Sequence, residues 1–191
     1  SVNFAVILTK YSGRDDIRNF GSGNAGATNM MRVYGKGLSL LTFFLDALKG
    51  ALSVFLGLML FPLDYFAYIC AFFCMLGHAF PIFFGFRGGK GVSTIAGAII
   101  ALNPIVAAIL FFVFFGIAFL SKYVSLASIL TTLLFPVLNL AIPFYSIPPF
   151  PVTKTLFSVL MPLLVAFLHR QNIMRLWNGT ETKTFLKKDK G

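Results

Sequence analysis

The sequence predicts an all-α, polytopic membrane protein with about seven transmembrane helices, the first truncated and the fourth short, and three motif loops on the cytoplasmic face. Three observations predict it. Hydrophobic residues make up 58% of the 191-residue chain and charged residues only 12%, with 24 Phe and a mean hydropathy of +0.85, an apolar excess beyond that of soluble domains. Apolar stretches long enough to enter a bilayer recur along the chain. Three short polar segments, GSGNAGATNMMR (Gly21 to Arg32), GFRGGKG (Gly85 to Gly91) and HRQNIMRLWNGTE (His169 to Glu181), interrupt them. No linker or internal repeat divides the chain, so one domain over residues 1–191 is expected.

The apolar stretches run from Leu38 to Phe61, Tyr65 to Phe84, Val92 to Leu120, Val124 to Phe144 and Thr155 to Leu168, after a lead-in at Val2 to Leu8. The lead-in is part of a span, because a transmembrane helix needs about 20 residues: it is either the second half of a truncated first helix or a segment that merely inserts. Ser1 opens directly on apolar residues, so no secretory signal is expected. The stretch from Val92 to Leu120 would reach about 43 Å as one helix at ~1.5 Å per residue, beyond the ~30 Å hydrocarbon core. Asn103 and Pro104 stand in its middle, and proline disfavours helix in the residue before it. A short helix, a turn at Asn103-Pro104 and a returning helix are therefore expected.

Charge supports the split. With it, the three polar segments share one side with every one of the 16 Lys and Arg except Lys154; with a single span, Lys122 and the segment from His169 to Gly191 change sides. The positive-inside rule places the shared side in the cytoplasm. The formal charge of +10 then reports topology, and no nucleic-acid partner is expected. The short fourth helix needs protein or a water-filled cavity around it. Pro143, Pro148, Pro149 and Pro151 mark an outer turn, Cys70 and Cys74 read as inert core residues, and the KKDKG end brings basic charge near the headgroups.

The first polar segment satisfies G-x-G-x-x-G through Gly21, Gly23 and Gly26, and Asp46 falls where a ribose-binding acid would. A dinucleotide fingerprint needs a preceding strand and a βαβ unit, whereas Asp46 lies in FFLDALKG, a membrane helix. The glycines still let backbone N–H groups approach an anion. Ser22, Asn24, Thr28 and Asn29 add neutral donors, and Arg32 and Lys36 add positive charge. The alternative is a flexible polar loop.

The second segment has the composition of a phosphate-cradling loop, Gly88, Gly89, Lys90 and Gly91, leading into a helix at Val92, whose free N–H groups and dipole favour anions. It is not a Walker A loop, because Phe84 replaces the first glycine and Gly91 follows Lys90 where Ser or Thr would bind magnesium. Phosphate binding is indicated and nucleotide hydrolysis is not. The alternative is a turn whose Arg87 and Lys90 snorkel to the interface.

The third segment puts His169, Asn172 and Arg175 or Leu176 on neighbouring helical positions. Arg170 adds charge, and Glu181 is one of only six acids in the chain. His78, one turn before the second loop, reads as a packing or loop-orienting residue. Ser125 and Ser128 stand at i, i+3 at the start of a helix close to Lys122. Asp46 and Lys49, also i, i+3, read as a pair within the membrane, where ionisable groups are costly, and the pair either supports the loops structurally or contacts substrate directly.

Together, GSGNAGATNMMRVYGKG, GHAFPIFFGFRGGKGVST and HRQNIMRLWNGTE resemble the three signature motifs of the bacterial acyl-phosphate:glycerol-3-phosphate acyltransferase (PlsY) family, over roughly residues 1–182. The resemblance implies a seven-helix inner-membrane enzyme that moves a fatty acyl group from acyl phosphate to the 1-hydroxyl of glycerol 3-phosphate, giving lysophosphatidic acid and phosphate. It implies catalytic roles for Ser22 and Arg32, glycerol 3-phosphate binding by Gly88, Gly89, Lys90 and Gly91, activity roles for His169 and Asn172, and a structural role for Glu181. Gly23, Asn24, Gly26, Thr28, Asn29 and Ser128 join the expected substrate-binding set, and Asp46 the structural one. No metal or cofactor is expected, and the protein is expected to act as a monomer in the bilayer. Family members begin with a fuller first helix than this chain shows.

Two phosphate-bearing substrates suit three cationic, glycine-rich segments on one face. An acyl phosphate is already activated, so positioning and charge stabilisation can carry much of the barrier. The His-x4-Asp pair of the other glycerol-phosphate acyltransferase class is absent, since Phe83 and Met174 stand at the acid's positions. Direct attack by the glycerol hydroxyl is expected, with a phosphate taking the proton and His169 and Asn172 orienting the acceptor. No histidine adjoins Ser22 in sequence, which argues against an acyl-serine. The competing reading is an organic-phosphate transporter, for which inverted repeats and discontinuous helices would be the signature; the sequence shows neither.

Overall fold

The structure is a computed structural model that describes residues 2–60, 65–142, 144 and 151–183. Those residues form α-helices joined by loops, with no strand among them. In chain order they are α1 (Phe4–Tyr11), α2 (Ala27–Tyr34), α3 (Lys36–Leu60), α4 (Tyr65–Ala79), α5 (Val92–Leu102), α6 (Pro104–Ser121), α7 (Val124–Ala141), α8 (Pro151–Leu168) and α9 (Arg170–Trp177). Short 3₁₀ turns at Ile17–Asn19 and Ile82–Phe84 shape the first two motif loops.

The expected spans correspond to α1 and α3 to α8. Among the described residues, α3, α6, α7 and the segment Phe66–Phe84 are long and apolar enough to cross a membrane, and α8 passes that test jointly with α9, across a 61° bend. That gives four crossings, or five with the bent pair; α1 and α5 are too short to count by length. The first polar segment is less of a loop than its composition suggests, because its second half forms α2, between Gly26 and a left-handed Gly35. The outer-loop residues Pro143, Pro148 and Pro149 and the KKDKG end lie outside the described residues, and Pro151 begins α8.

The expected break in the apolar stretch from Val92 to Leu120 is present. Asn103 is extended, its side chain accepts the Val106 N–H at 3.2 Å, and Pro104 takes the first helical position of α6, where a missing N–H costs nothing. The Asn103 amide also donates to the Ile142 carbonyl at 2.6 Å and to Asn139 Oδ1 at 3.4 Å. Asn139 donates in turn to Tyr68 Oη at 3.1 Å and Ser158 Oγ at 3.0 Å. This buried network links α4, α7 and α8 to the α5–α6 turn, and satisfies polar groups that hydrocarbon cannot.

Glycine lets α3 and α5 approach backbone to backbone. A Cβ on Gly50 would collide with the Thr94 carbonyl, and one on Gly97 with the Ala47 carbonyl. Around this contact Val54, Met75, Ile95, Leu102, Phe135 and Met161 form the main core. A second core of Ala5, Val6, Ile17, Ala25 and Met30 binds α1 and α2 to the first motif loop. The other flanks, such as Phe111, Phe112, Phe115 and Phe119 on α6, are exposed, as lipid-facing side chains are.

Gly97→Val is expected to destabilise the protein by about 1–3 kcal/mol, the usual cost of overpacking, read as a lower unfolding temperature in detergent. Gly116→Ala, in the interior of α6 where an added Cβ meets nothing within 4 Å, serves as the control and does not lower that temperature.

Candidate active site

The first motif loop is held from within by α2. Asn29 Oδ1 accepts the Ser22 N–H at 2.9 Å, and its amide donates to the Ile17 and Phe20 carbonyls at 3.2 and 3.0 Å. The side chain occupies the place a Cβ on Gly21 would need, and Gly21 and Gly23 adopt left-handed φ of 60° and 69° that favour glycine. Asn29, expected to offer a donor to substrate, thus spends both its N–H groups on the loop's own carbonyls. It is 1% exposed, and buried carbonyls must be paired.

Arg18 fastens the first loop to the second. Its guanidinium pairs with Asp16 at 2.6 Å and donates to the Phe84 carbonyl at 2.6 Å and the Arg87 carbonyl at 3.4 Å. The Arg18 hydrogen bond holds the Asp16 carboxyl below its ordinary range. Alongside, the Ala25 N–H donates to the Gly88 carbonyl at 3.4 Å. Sequence reasoning missed Arg18, whose one local sign was an acid two residues before it.

In the second loop, the Gly88 N–H donates to the Ala79 carbonyl at 3.1 Å and the Gly89 N–H to the His78 carbonyl at 3.2 Å. Both N–H groups, expected to meet phosphate, turn inward and close the end of α4. Cβ atoms on Gly88 or Gly89 would strike α4, so glycine is required for close packing there. Gly91, at φ 78°, leads into α5 against Met75. The loop's contribution to the open space is Lys90, whose ammonium donates to Asn172 Oδ1.

Glu181 gathers the third segment. Its Oε1 accepts from Ser125 Oγ at 2.8 Å and from the Asn172 amide at 2.7 Å, and its Oε2 accepts from Arg175 Nε at 2.7 Å. Burial raises the carboxyl's pKa, but hydrogen bonds from Arg175, Asn172 and Ser125 outweigh it and leave the group below its ordinary value. Burial pushes the Lys90 ammonium down to about 8, with help from Arg175 and Arg32 and opposition from Glu181. His169, 3% exposed, has Nδ1 at 2.8 Å from the Val165 carbonyl, which assigns the ring proton to Nδ1 and leaves Nε2 an acceptor. Burial and Lys90 push its pKa down to about 4, so the ring is neutral at pH 7.

These pieces frame a cavity of about 1070 Å³. Gly21, Ser22, Gly23, Asn24 and Arg32 line it from the first segment, Lys90 from the second, and Arg170, Gln171, Arg175, Glu181, Thr182 and Lys183 from the third, with Phe20, Met31, Val33 and Leu168 as apolar wall. Five cations therefore face one carboxylate among the lining residues. His169 and Asn172 stand behind this wall, Asn172 joined to Lys90 and Glu181. Gly26, Thr28 and Asn29 belong to α2 and its start, outside the lining. Ser128 is 2% exposed, donates to the Val124 carbonyl at 2.8 Å and does not line the cavity; Ser125, one turn earlier, makes the contact to Glu181 instead. Asp46 lies deeper, paired with Lys49. Gln171, Thr182 and Lys183 were not singled out from sequence, although Gln171 adjoins Asn172, and Thr182 and Lys183 directly follow Glu181.

The family described as glycerol-3-phosphate acyltransferase matches residues 1–179 of the chain. The glycerol-3-phosphate acyltransferase of Syntrophomonas wolfei is 42% identical over 183 residues, covering 96% of this chain and 90% of its own length. That of Aquifex aeolicus is 40% identical, covering 95% and 91%. Among solved structures, the integral membrane glycerol 3-phosphate acyltransferase PlsY in its glycerol 3-phosphate form superposes with a TM-score of 0.85 at 39% identity, over 95% of this chain and 88% of that one. Its lysophosphatidic acid form gives 0.83 at 38%.

Glu181→Ala is expected to lower the unfolding temperature in detergent, because it strands donors from Ser125, Asn172 and Arg175 at about 1–3 kcal/mol for each buried one. Ser128→Ala is expected to leave the KM of both substrates unchanged in steady-state assays.

Proposed function

The chain belongs to the glycerol-3-phosphate acyltransferase family, and we propose that it transfers a fatty acyl group from acyl phosphate to the 1-hydroxyl of glycerol 3-phosphate, forming lysophosphatidic acid and phosphate. The observation that carries this reading is the convergence of Arg32, Lys90, Arg170, Arg175 and Lys183 on one cavity, with charge for two phosphate groups at once. The two ligand forms of the solved PlsY structure, with glycerol 3-phosphate and with lysophosphatidic acid, are an acceptor and a product of this reaction. The protein acts as a single-domain monomer in the bacterial inner membrane, with the cavity open to the cytoplasm, the side to which positive charge assigns the motif loops.

The glycerol 1-hydroxyl oxygen attacks the acyl carbonyl carbon. The new C–O ester bond forms as the bond from that carbon to the phosphate oxygen breaks, and phosphate leaves with the electron pair and takes the hydroxyl proton. Arg32 stabilises charge on the leaving phosphate, while Lys90 and the remaining cations hold the acceptor's phosphate. Ser22 contributes its hydroxyl and the adjoining loop as hydrogen-bonding groups. Glu181 is a poor proton acceptor because its oxygens already receive three hydrogen bonds. His169, neutral and held by Val165, and Asn172 keep Lys90 and the acceptor in register. The absence of both histidines from the cavity lining supports direct transfer over an acyl-Ser22 intermediate.

Purified protein in detergent, with no compartment to transport across, is expected to release phosphate and lysophosphatidic acid from acyl phosphate and glycerol 3-phosphate. Turnover with acyl-CoA alone would overturn the donor assignment, and isolation of a labelled acyl-Ser22 adduct would overturn direct attack. Raising the pH through about 8, where Lys90 loses its proton, is expected to lower kcat/KM, which reports the free enzyme. Lys90→Met removes that alkaline limb and costs about 10–100-fold, the worth of a charge-assisted hydrogen bond.

A further inference from the structure

Beneath the second motif loop lies an ionisable cluster that the transfer reaction does not use. Asp46 and Lys49 come from α3 and His78 from the last turn of α4; Asp46 is 1% exposed and His78 3%. Lys49 Nζ donates to Asp46 Oδ1, to His78 Nδ1 at 2.7 Å and to the Val2 carbonyl at 2.9 Å. His78 Nδ1 also lies 3.6 Å from Asp46 Oδ1. An ammonium can only donate, so Nδ1 is the acceptor and the ring carries its proton on Nε2.

The Nε2 edge reaches the chemistry. It fills the position that a Cβ on Gly89 would take, with the Ala25 carbonyl beside it. The His78 backbone carbonyl accepts the Gly89 N–H, and Ala25 donates to Gly88. A single residue thus holds the second loop by both its ring and its backbone and abuts the first loop at Ala25. Lys90, which enters the cavity, is the next residue after Gly89. Charged groups at membrane depth are costly and are retained where they serve function. An apolar residue on α4 could fill the space, but nothing apolar would fix the edge presented to Gly89.

We propose that Asp46, Lys49 and His78 form a positioning array for the acyl-transfer site. Lys49, held by Asp46, fixes the tautomer and orientation of the His78 ring; the ring sets Gly89, and Gly89 sets how far Lys90 reaches toward the phosphate of glycerol 3-phosphate. The array rests on the function proposed above, and its residues act through Lys90 without touching substrate.

The test is calorimetric titration of glycerol 3-phosphate into the full chain in detergent without an acyl donor, followed by steady-state kinetics. His78→Asn, Lys49→Met and Lys49→Arg are each expected to weaken binding and raise the KM for glycerol 3-phosphate about tenfold, in line with the sensitivity of such sites to sub-ångström displacement, while kcat changes far less. Lys49→Arg keeps the positive charge beside Asp46 and so remains informative if Lys49→Met does not fold. His78→Asn combined with Lys49→Arg is expected to cost no more than His78→Asn alone, because Lys49 acts through the ring. Wild-type affinity in folded variants whose only change is a lower unfolding temperature would overturn the array, as would additive losses in the double variant. Failure of the wild-type protein to bind glycerol 3-phosphate at all would instead overturn the proposed function.

Discussion

Like charges crowded into a partly buried space repel one another, and this cavity gathers five cations around one carboxylate. Glu181 makes that arrangement possible. It takes hydrogen bonds from α7 through Ser125 and from α9 through Asn172 and Arg175, and Asn172 passes the connection to Lys90 ahead of α5. One ionised side chain therefore sets the spacing of three separate chain segments. It leaves most of the positive charge unbalanced, and Arg175 and Arg32 add to the burial that lowers the Lys90 pKa. A bound phosphate would relieve that repulsion, so part of the affinity for anionic substrates is built into the arrangement of the cations.

The helices and their break were legible because hydrocarbon enforces simple rules. An apolar run too long for one span had to fold back, and Asn103-Pro104 was the place with a capping side chain and no N–H to lose. The gathering of three polar segments on one face followed from the same split. Tertiary hydrogen bonding was not legible in the same way. Ser125 and Ser128 share a helix face by spacing, and only packing against the third segment selects Ser125 for Glu181. Asn29 looks like an exposed donor in a polar string, yet α2 turns it inward. Arg18 lies outside the glycine-rich run and draws its role from carbonyls more than sixty residues away.

The second motif teaches a narrower lesson about composition. GFRGGKG predicted phosphate chemistry through exposed backbone donors, but the N–H groups of Gly88 and Gly89 end up on α4 carbonyls. The glycines serve proximity: they bring the loop against His78 and the Ala25 carbonyl, where no side chain fits. The positive charge offered to an anion then comes from side chains, Lys90 above all. The same letters thus support the same ligand class by a different device.

The close contact between α3 and α5 has a consequence for the membrane around the protein. At 11 residues, α5 is about 16 Å long, roughly half the hydrocarbon thickness, so lipid cannot set its height. Gly50 and Gly97 lock it to α3 instead, carbonyl against glycine. A thicker or thinner bilayer is met by tilt of the long helices or by local lipid adjustment, while the loop that delivers Lys90 keeps its register with the α3 backbone. Hydrophobic mismatch is thereby absorbed at the periphery, and the reacting groups keep their spacing in membranes of differing composition.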